Sequence, residues 1–198
     1  MGLNLTYTAG QTPLTAEELD DLKIKTISTR GDLDELEQQN IEKAQEWLLS
    51  RKLSADKIFS EDFIFELHRR MLGEVWSWAG HTRRSNKNIG VDWTEIPIHL
   101  RNLLADAKYW VANQTFSNDH IAILFKLRIV KIHCFPNGNG RHSRLMADTI
   151  IEKIYGGELF TWGSGNLIQK GQTRSNYLAA LKVGDGNSIG ELIKFARS

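Results

Sequence analysis

A chain of 198 residues with 41% apolar and 25% charged side chains has the make-up of an ordinary soluble globular protein and is long enough to bury a core of its own. Its formal net charge of +1 excludes a bulk pull towards nucleic acid or a membrane surface, so any phosphate binding has to be local. A single cysteine excludes an internal disulfide, and with no basic-then-apolar N-terminal segment and no apolar stretch of membrane-spanning length a cytoplasmic protein is expected.

Residues Met1 to Leu14 have no period and contain Gly10 and Pro13, which reads as an extended arm. Thr15-x-x-Glu18 is a capping box that opens a short helix to about Lys25, and Asp32 to Leu49 carries Leu33, Leu36, Ile41, Ala44, Trp47 and Leu48 near one stripe of a longer one. Its acids, Glu35 and Glu37 among them, read as a solvated outer face. Ser60-Glu61-Asp62 opens a helix through Phe63, Ile64, Leu67, Met71, Leu72 and Val75 into Trp76 and Trp78; the tryptophans read as core anchors and His68 as a satisfied structural histidine. From His81 to Trp93 the helical period stops, which predicts a two-stranded flap turning near Asn86 to Asn88.

Thr94 to Ala112 resumes the period, Gln114 to Asp119 turns, with His120 a surface or cap residue, and Ile121 to Ile132 is an apolar helix. Past a glycine-rich break a further helix carries Leu145, Met146, Ile150, Ile151 and Ile154 and closes at Gly156-Gly157. Two more follow, from Thr173 or Ser175 to Val183 and from Asn187 or Ser188 to Ala196. The expectation is one all-α, mostly helical domain over residues 1–198, with one small β-hairpin flap, N-terminal arm and helices over 1–50 and a core over 60–184.

The break itself, His133-Cys134-Phe135-Pro136-Asn137-Gly138-Asn139-Gly140-Arg141-His142-Ser143-Arg144, puts two arginines and no acid in the first turn of a helix. A helix start already carries roughly half a positive charge, so cations there cost a few tenths of a kcal/mol unless something negative offsets them. The N–H groups of Gly138, Asn139 and Gly140, with Arg141 and Arg144 one turn apart, make an anion cradle suited to phosphates, and His133 upstream could face it as a proton acceptor. The composite reads as a phosphoryl or nucleotidyl transfer site. Cys134 reads as a buried spectator, Phe135 as a buried peg, and His142 as solvent-facing with no role.

This stretch resembles the signature of Fic-domain proteins, His-x-Phe-x-(Asp/Glu)-Gly-Asn-Gly-Arg-x-x-Arg, matching seven of its eight fixed places through His133, Phe135, Gly138, Asn139, Gly140, Arg141 and Arg144. Trp78-Ala79-Gly80-His81-Thr82-Arg83 with Ile89-Gly90, and Arg174-x-x-Tyr177-x-x-Ala180-Leu181, are similar to the family's neighbouring segments. The closest look is to the subgroup labelled "mobile mystery protein B". The resemblance implies a Fic-type helical bundle that transfers AMP from ATP to a Ser, Thr or Tyr hydroxyl of a target protein. His133 would be the base, Arg141 and Arg144 the holders of the outer phosphates, Asn176 and Tyr177 the contacts to the nucleotide base, and the flap at residues 83–91 the docking edge for the target. Gly140 fits AMP transfer better than the family's kinase branch, which carries a Lys there. Asn137 stands where the family has an acid that holds Mg²⁺. An amide oxygen ligates Mg²⁺ without a formal charge, leaving open weaker metal dependence, another nucleotide donor, or nucleotide binding with little turnover. The family's inhibitory pattern, (Ser/Thr)-x-x-x-Glu-(Gly/Asn), is absent around Glu35 and Glu37. The resemblance still allows restraint by Glu37, by another part of the chain or by an antitoxin-like partner, as well as a homo-oligomer.

Overall fold

Thr15 opens α1 (Ala16–Asp20) with the capping box that its spacing predicts: its hydroxyl accepts from Glu18 N–H at 3.2 Å while the Glu18 carboxylate accepts from Thr15 N–H at 2.8 Å. The computed structural model describes residues 12–164, 175, 179 and 189–198. α1 stops short of Lys25 because the chain there pairs elsewhere, Leu22 bridging to Trp76 and Lys23 N–H reaching Val75 O at 2.9 Å. Thr29 and Asp32 make a second capping box for α2 (Arg30–Leu49), whose inner face holds Leu33, Glu37, Asn40, Ile41, Ala44 and Leu48. After α3 (Ala55–Ile58), Ser60 caps α4 (Glu61–Leu72), which ends at Gly73 rather than at Val75.

A 3₁₀ turn at Trp93–Glu95 leads into α5 (Ile96–Ala112), followed by α6 (Asn118–Ile132), α7 (Asn139–Tyr155), a second 3₁₀ turn at Trp162–Ser164 and α8 (Ile189–Arg197). The helix expected from Thr173 or Ser175 to Val183 lies outside the described residues, except for Ser175 and Ala179, which are helical.

α6 is apolar almost all round because it is packed on several sides, against α7, α5 and α8. α2 lies on α4, and α3 and α4 flank α7. Buried side chains from α2 to α8 form one continuous cluster, including Trp76, Trp78 and Trp110, as anchors should. The helix pair α6 and α7 thus places the loop 133–138 between their ends, at the edge of the core.

The flap does not form as a hairpin: among the described residues no strand is paired between His81 and Asp92. Side chains take the groups that a ladder would use. The Arg83 guanidinium donates to Ser85 O at 2.8 Å and to Val91 O, while Asn86 donates to Asp92 Oδ2 at 2.8 Å and accepts from Trp93 N–H at 2.9 Å. The segment is a side-chain-braced loop laid against the 133–138 turn.

Candidate active site

Loop 133–138 is held by three anchors. His133 caps α6 in the left-handed region, φ 58° and ψ 58°, a conformation a non-glycine residue keeps only when its surroundings impose it. The first anchor is Arg83, 1% exposed, whose Nε donates to His133 O at 2.7 Å and whose backbone N–H donates to Cys134 O at 2.9 Å. The second is His68: its Nδ1 accepts from Gly80 N–H at 3.0 Å, its Nε2 donates to Asn137 O at 3.0 Å, and its ring stacks on Phe135 with centroids 3.6 Å apart. The third is Asn139, whose side chain accepts from Phe135 N–H at 3.0 Å and donates to Phe135 O at 2.8 Å. His68 is therefore the structural histidine that its apolar neighbours suggest, and Phe135 the peg. Two glycines are required by close approach. A Cβ at Gly138, φ 78°, would stand 2.6 Å from Leu72 Cδ1, and one at Gly90, φ 104°, would stand 2.7 Å from His133 Cβ.

Because Arg83 serves its own loop and the motif turn at once, Arg83→Met should cost about 3 kcal/mol by leaving buried carbonyls without donors. The urea midpoint checks this, an unchanged value meaning that water replaces the guanidinium.

His133 is buried, with Nδ1 3.3 Å from Val130 O and Nε2 3.0 Å from Thr12 Oγ1. A carbonyl can only accept, so Nδ1 carries the proton and Nε2 presents its lone pair to the threonine hydroxyl. Burial, aided by the Arg83 and Lys87 charges, brings the imidazole down to about 4, so it is neutral and proton-accepting at physiological pH. Burial pushes the Cys134 thiol up to about 12, in keeping with a spectator rather than a nucleophile.

α7 supplies the anion cradle. Its first intrahelical bond runs from His142 N–H to Gly138 O at 2.9 Å, so the N–H groups of Asn139, Gly140 and Arg141 precede the ladder; Gly138 N–H is taken by Asn137 Oδ1 at 2.6 Å. A Cβ on Gly140 would meet only Arg144 Nη1, at 4.0 Å, so this stretch of main chain is open to a ligand. Asn139 contributes backbone alone, its side chain being spent on the loop. A separate cavity lined by Lys23, Lys43, Arg69, Arg70, Glu74 and His81 contains no residue of loop 133–144. Its cations are already engaged, Lys43 by Glu74, Arg70 by Glu66 and Lys23 by Gly73 O, which makes it the poorer phosphate site.

Residues 58–151 match the model of the Fic/DOC family. The chain belongs to the Fic/DOC family. It is 32% identical over 136 residues to the protein adenylyltransferase Fic of Drosophila virilis and of Drosophila melanogaster, covering 67% of this chain and 26% of each relative. It thus spans about a quarter of the length of the curated relatives it matches. Among solved structures, BepC of Bartonella tribocorum with bound AMPPNP superposes with a TM-score of 0.67 at 16% identity, over 92% of this chain and 98% of that one. Fic-1 of C. elegans gives 0.62 at 23% identity, over 80% and 46%. These likenesses show the Fic fold.

Set beside the Fic motif, three sequence expectations change. His142 is buried, not solvent-facing: its Nε2 donates to Ile64 O at 3.1 Å and its ring meets Phe135 edge-on. It shares a stripe with Leu145, Met146 and Thr149, a spacing that already pointed inward. Glu37 is no solvated acid; it is 4% exposed, accepts from Trp76 Nε1 at 2.6 Å and pairs with Arg141, the first arginine of the motif. The arm is not merely an extended lead-in, since Thr12 covers His133. Asn176 and Tyr177 lie outside the described residues.

Proposed function

We propose that this chain is a protein adenylyltransferase, moving AMP from ATP to a Ser, Thr or Tyr hydroxyl. What carries the reading is the His133 imidazole, locked in the tautomer that offers Nε2 to a hydroxyl at 3.0 Å, at the mouth of a helix start bearing open N–H groups and two arginines. The hydroxyl gives its proton to Nε2 as its oxygen attacks the α-phosphorus, and the start of α7 with Arg141 and Arg144 takes the charge that builds on the departing pyrophosphate. The relatives named protein adenylyltransferase support the same reading. ATP labelled on the α-phosphorus should leave label on protein, and ATP labelled on the γ-phosphorus should not; the reverse result would point to a kinase.

The Mg²⁺ that the family resemblance implies finds little here. Residue 137 offers one neutral oxygen, already accepting from Gly138 N–H, and among the described residues no three His, Cys, Asp or Glu side chains converge. The residues present do not fit a preformed divalent site, and the steps above use none. This favours, as a second reading, a nucleotide-binding module with slow turnover. Asn137→Asp should lower the half-saturating Mg²⁺ concentration about tenfold. Should transfer appear only in that variant, the second reading is correct.

Glu37 supports self-restraint within the same reading, because it occupies the arginine that the triphosphate needs. Glu37→Gln keeps an acceptor for Trp76 and removes the competing charge. The ATP concentration giving half-maximal binding should then fall about tenfold, or about 1.4 kcal/mol; calorimetry measures it. Location in the cytoplasm and docking of a target along loop 83–91 belong to the proposal as well. No described helix is long and apolar enough to cross a membrane.

A further inference from the structure

Three polar contacts hold residues Thr12 and Pro13 across the site, and they come from both of its walls. Asn137 Nδ2 donates to Thr12 O at 3.1 Å from the motif loop. Lys87 Nζ donates to Pro13 O at 3.2 Å from the 83–91 loop, and the same lysine pairs with Glu18 of α1 at an almost fully buried contact. Both walls grip main-chain carbonyls, the mode that suits an extended peptide whose sequence matters little. The Thr12 side chain, 7% exposed, enters with its hydroxyl on His133 Nε2 at 3.0 Å. This also gives the departure at residue 137 a purpose. An amide can donate to Thr12 O, whereas a carboxylate at the same place would set acceptor against acceptor.

We propose that Thr12 is the chain's own acceptor, held on His133 as an intramolecular substrate and modified there with AMP. This rests on the adenylyltransferase reading above. In the step the Thr12 Oγ1–P bond forms at the α-phosphorus of ATP, the α–β phosphoanhydride bond breaks, pyrophosphate leaves, and the hydroxyl proton passes to His133 Nε2. The product is a phosphodiester on Thr12. Its bulk and negative charge cannot remain in the space that a hydroxyl fills, so modification expels the arm and opens His133 to other hydroxyls. Transfer to other proteins would then follow self-modification with a lag.

The test uses the full chain with ATP and either Mg²⁺ or Mn²⁺, digestion, and fragment-resolved mass spectrometry. AMP is expected on Thr12, at a first-order rate that does not change with protein concentration. Thr12→Ser should retain the adduct and Thr12→Val should lose it. A tagged His133→Asn chain mixed with wild type should stay unmodified at Thr12. AMP found on other residues while the Thr12 peptide stays unmodified would overturn the assignment and leave the transferase reading standing. No AMP on this chain or on any added protein would overturn both. A rate at Thr12 that scales with protein concentration would overturn the intramolecular route.

Discussion

Replacing His133 with Asn is expected to lower AMP transfer about a thousandfold while ATP binding stays within about twofold, the signature of a lost general base rather than a lost binding group. Asn is the informative substitution because it tolerates the φ of 58° found there, whereas Ala would add backbone strain to the loss of the imidazole. The wild-type profile carries a second mark of the same residue. With its imidazole held at about 4, His133 is already deprotonated throughout the neutral range, so the rate should be level from about pH 8 to about pH 6, where an ordinary histidine would have begun to protonate. An Asn variant that transfers normally would remove His133 from the chemistry, and a wild-type rate that halves near pH 6.5 would show that the imidazole is not held at about 4 during transfer.

Acid should destabilise this protein already between pH 6.5 and pH 4, through its buried imidazoles. His133 and His142 are both brought down to about 4 by burial, and burial holds His68 well below the usual histidine range as well. In the unfolded chain all three bind protons from about 6.5 downward, so the unfolded state gains protons first and stability falls as pH drops from 6.5 to 4. His133 and His142 each amount to about 3 kcal/mol over that window. Asp148 works in the opposite sense. Burial raises its carboxyl to about 6, so it is protonated earlier in the folded chain and offsets about 3 kcal/mol of the loss. The net is a fall of about 3 kcal/mol, with His68 adding to it, a large share of the total stability of a domain this size. Urea midpoints at pH 7 and pH 4.5 measure the difference. His142→Gln, which can still donate to Ile64 O, should flatten the slope, and a slope unchanged by that substitution would mean the buried imidazoles are not its source.

Most of the helices were legible because each announces itself locally: Thr15 with Glu18, Ser60 before Phe63, and the apolar spacing of α5, α6 and α7 need no distant partner. The anchor reading of the tryptophans and the structural reading of His68 followed from the same local company. The end of the helical period at His81 does not tell a flap from a braced loop, because the hydrogen bonds that decide between them come from the Arg83, Asn86 and Asp92 side chains. The burial of His142 is legible only from its place on the α7 stripe, since an open place in the motif leaves the direction of its side chain unspecified.

The sequence by itself determined that a glycine-lined helix start bearing Arg141 and Arg144 follows a histidine-capped apolar helix, because capping, chain breaking and the charge at a helix terminus are set within a few residues. Only the tertiary structure decided what meets those groups. Thr12 reaches His133 across 121 positions, Glu37 reaches Arg141 across 104, and Arg83 ties its own loop to the motif turn across 50. Each is a partnership between a polar group that burial forbids to stay with water and whatever distant donor or acceptor the packing of α2, α4, α6 and α7 brings within reach, and no local pattern encodes that choice.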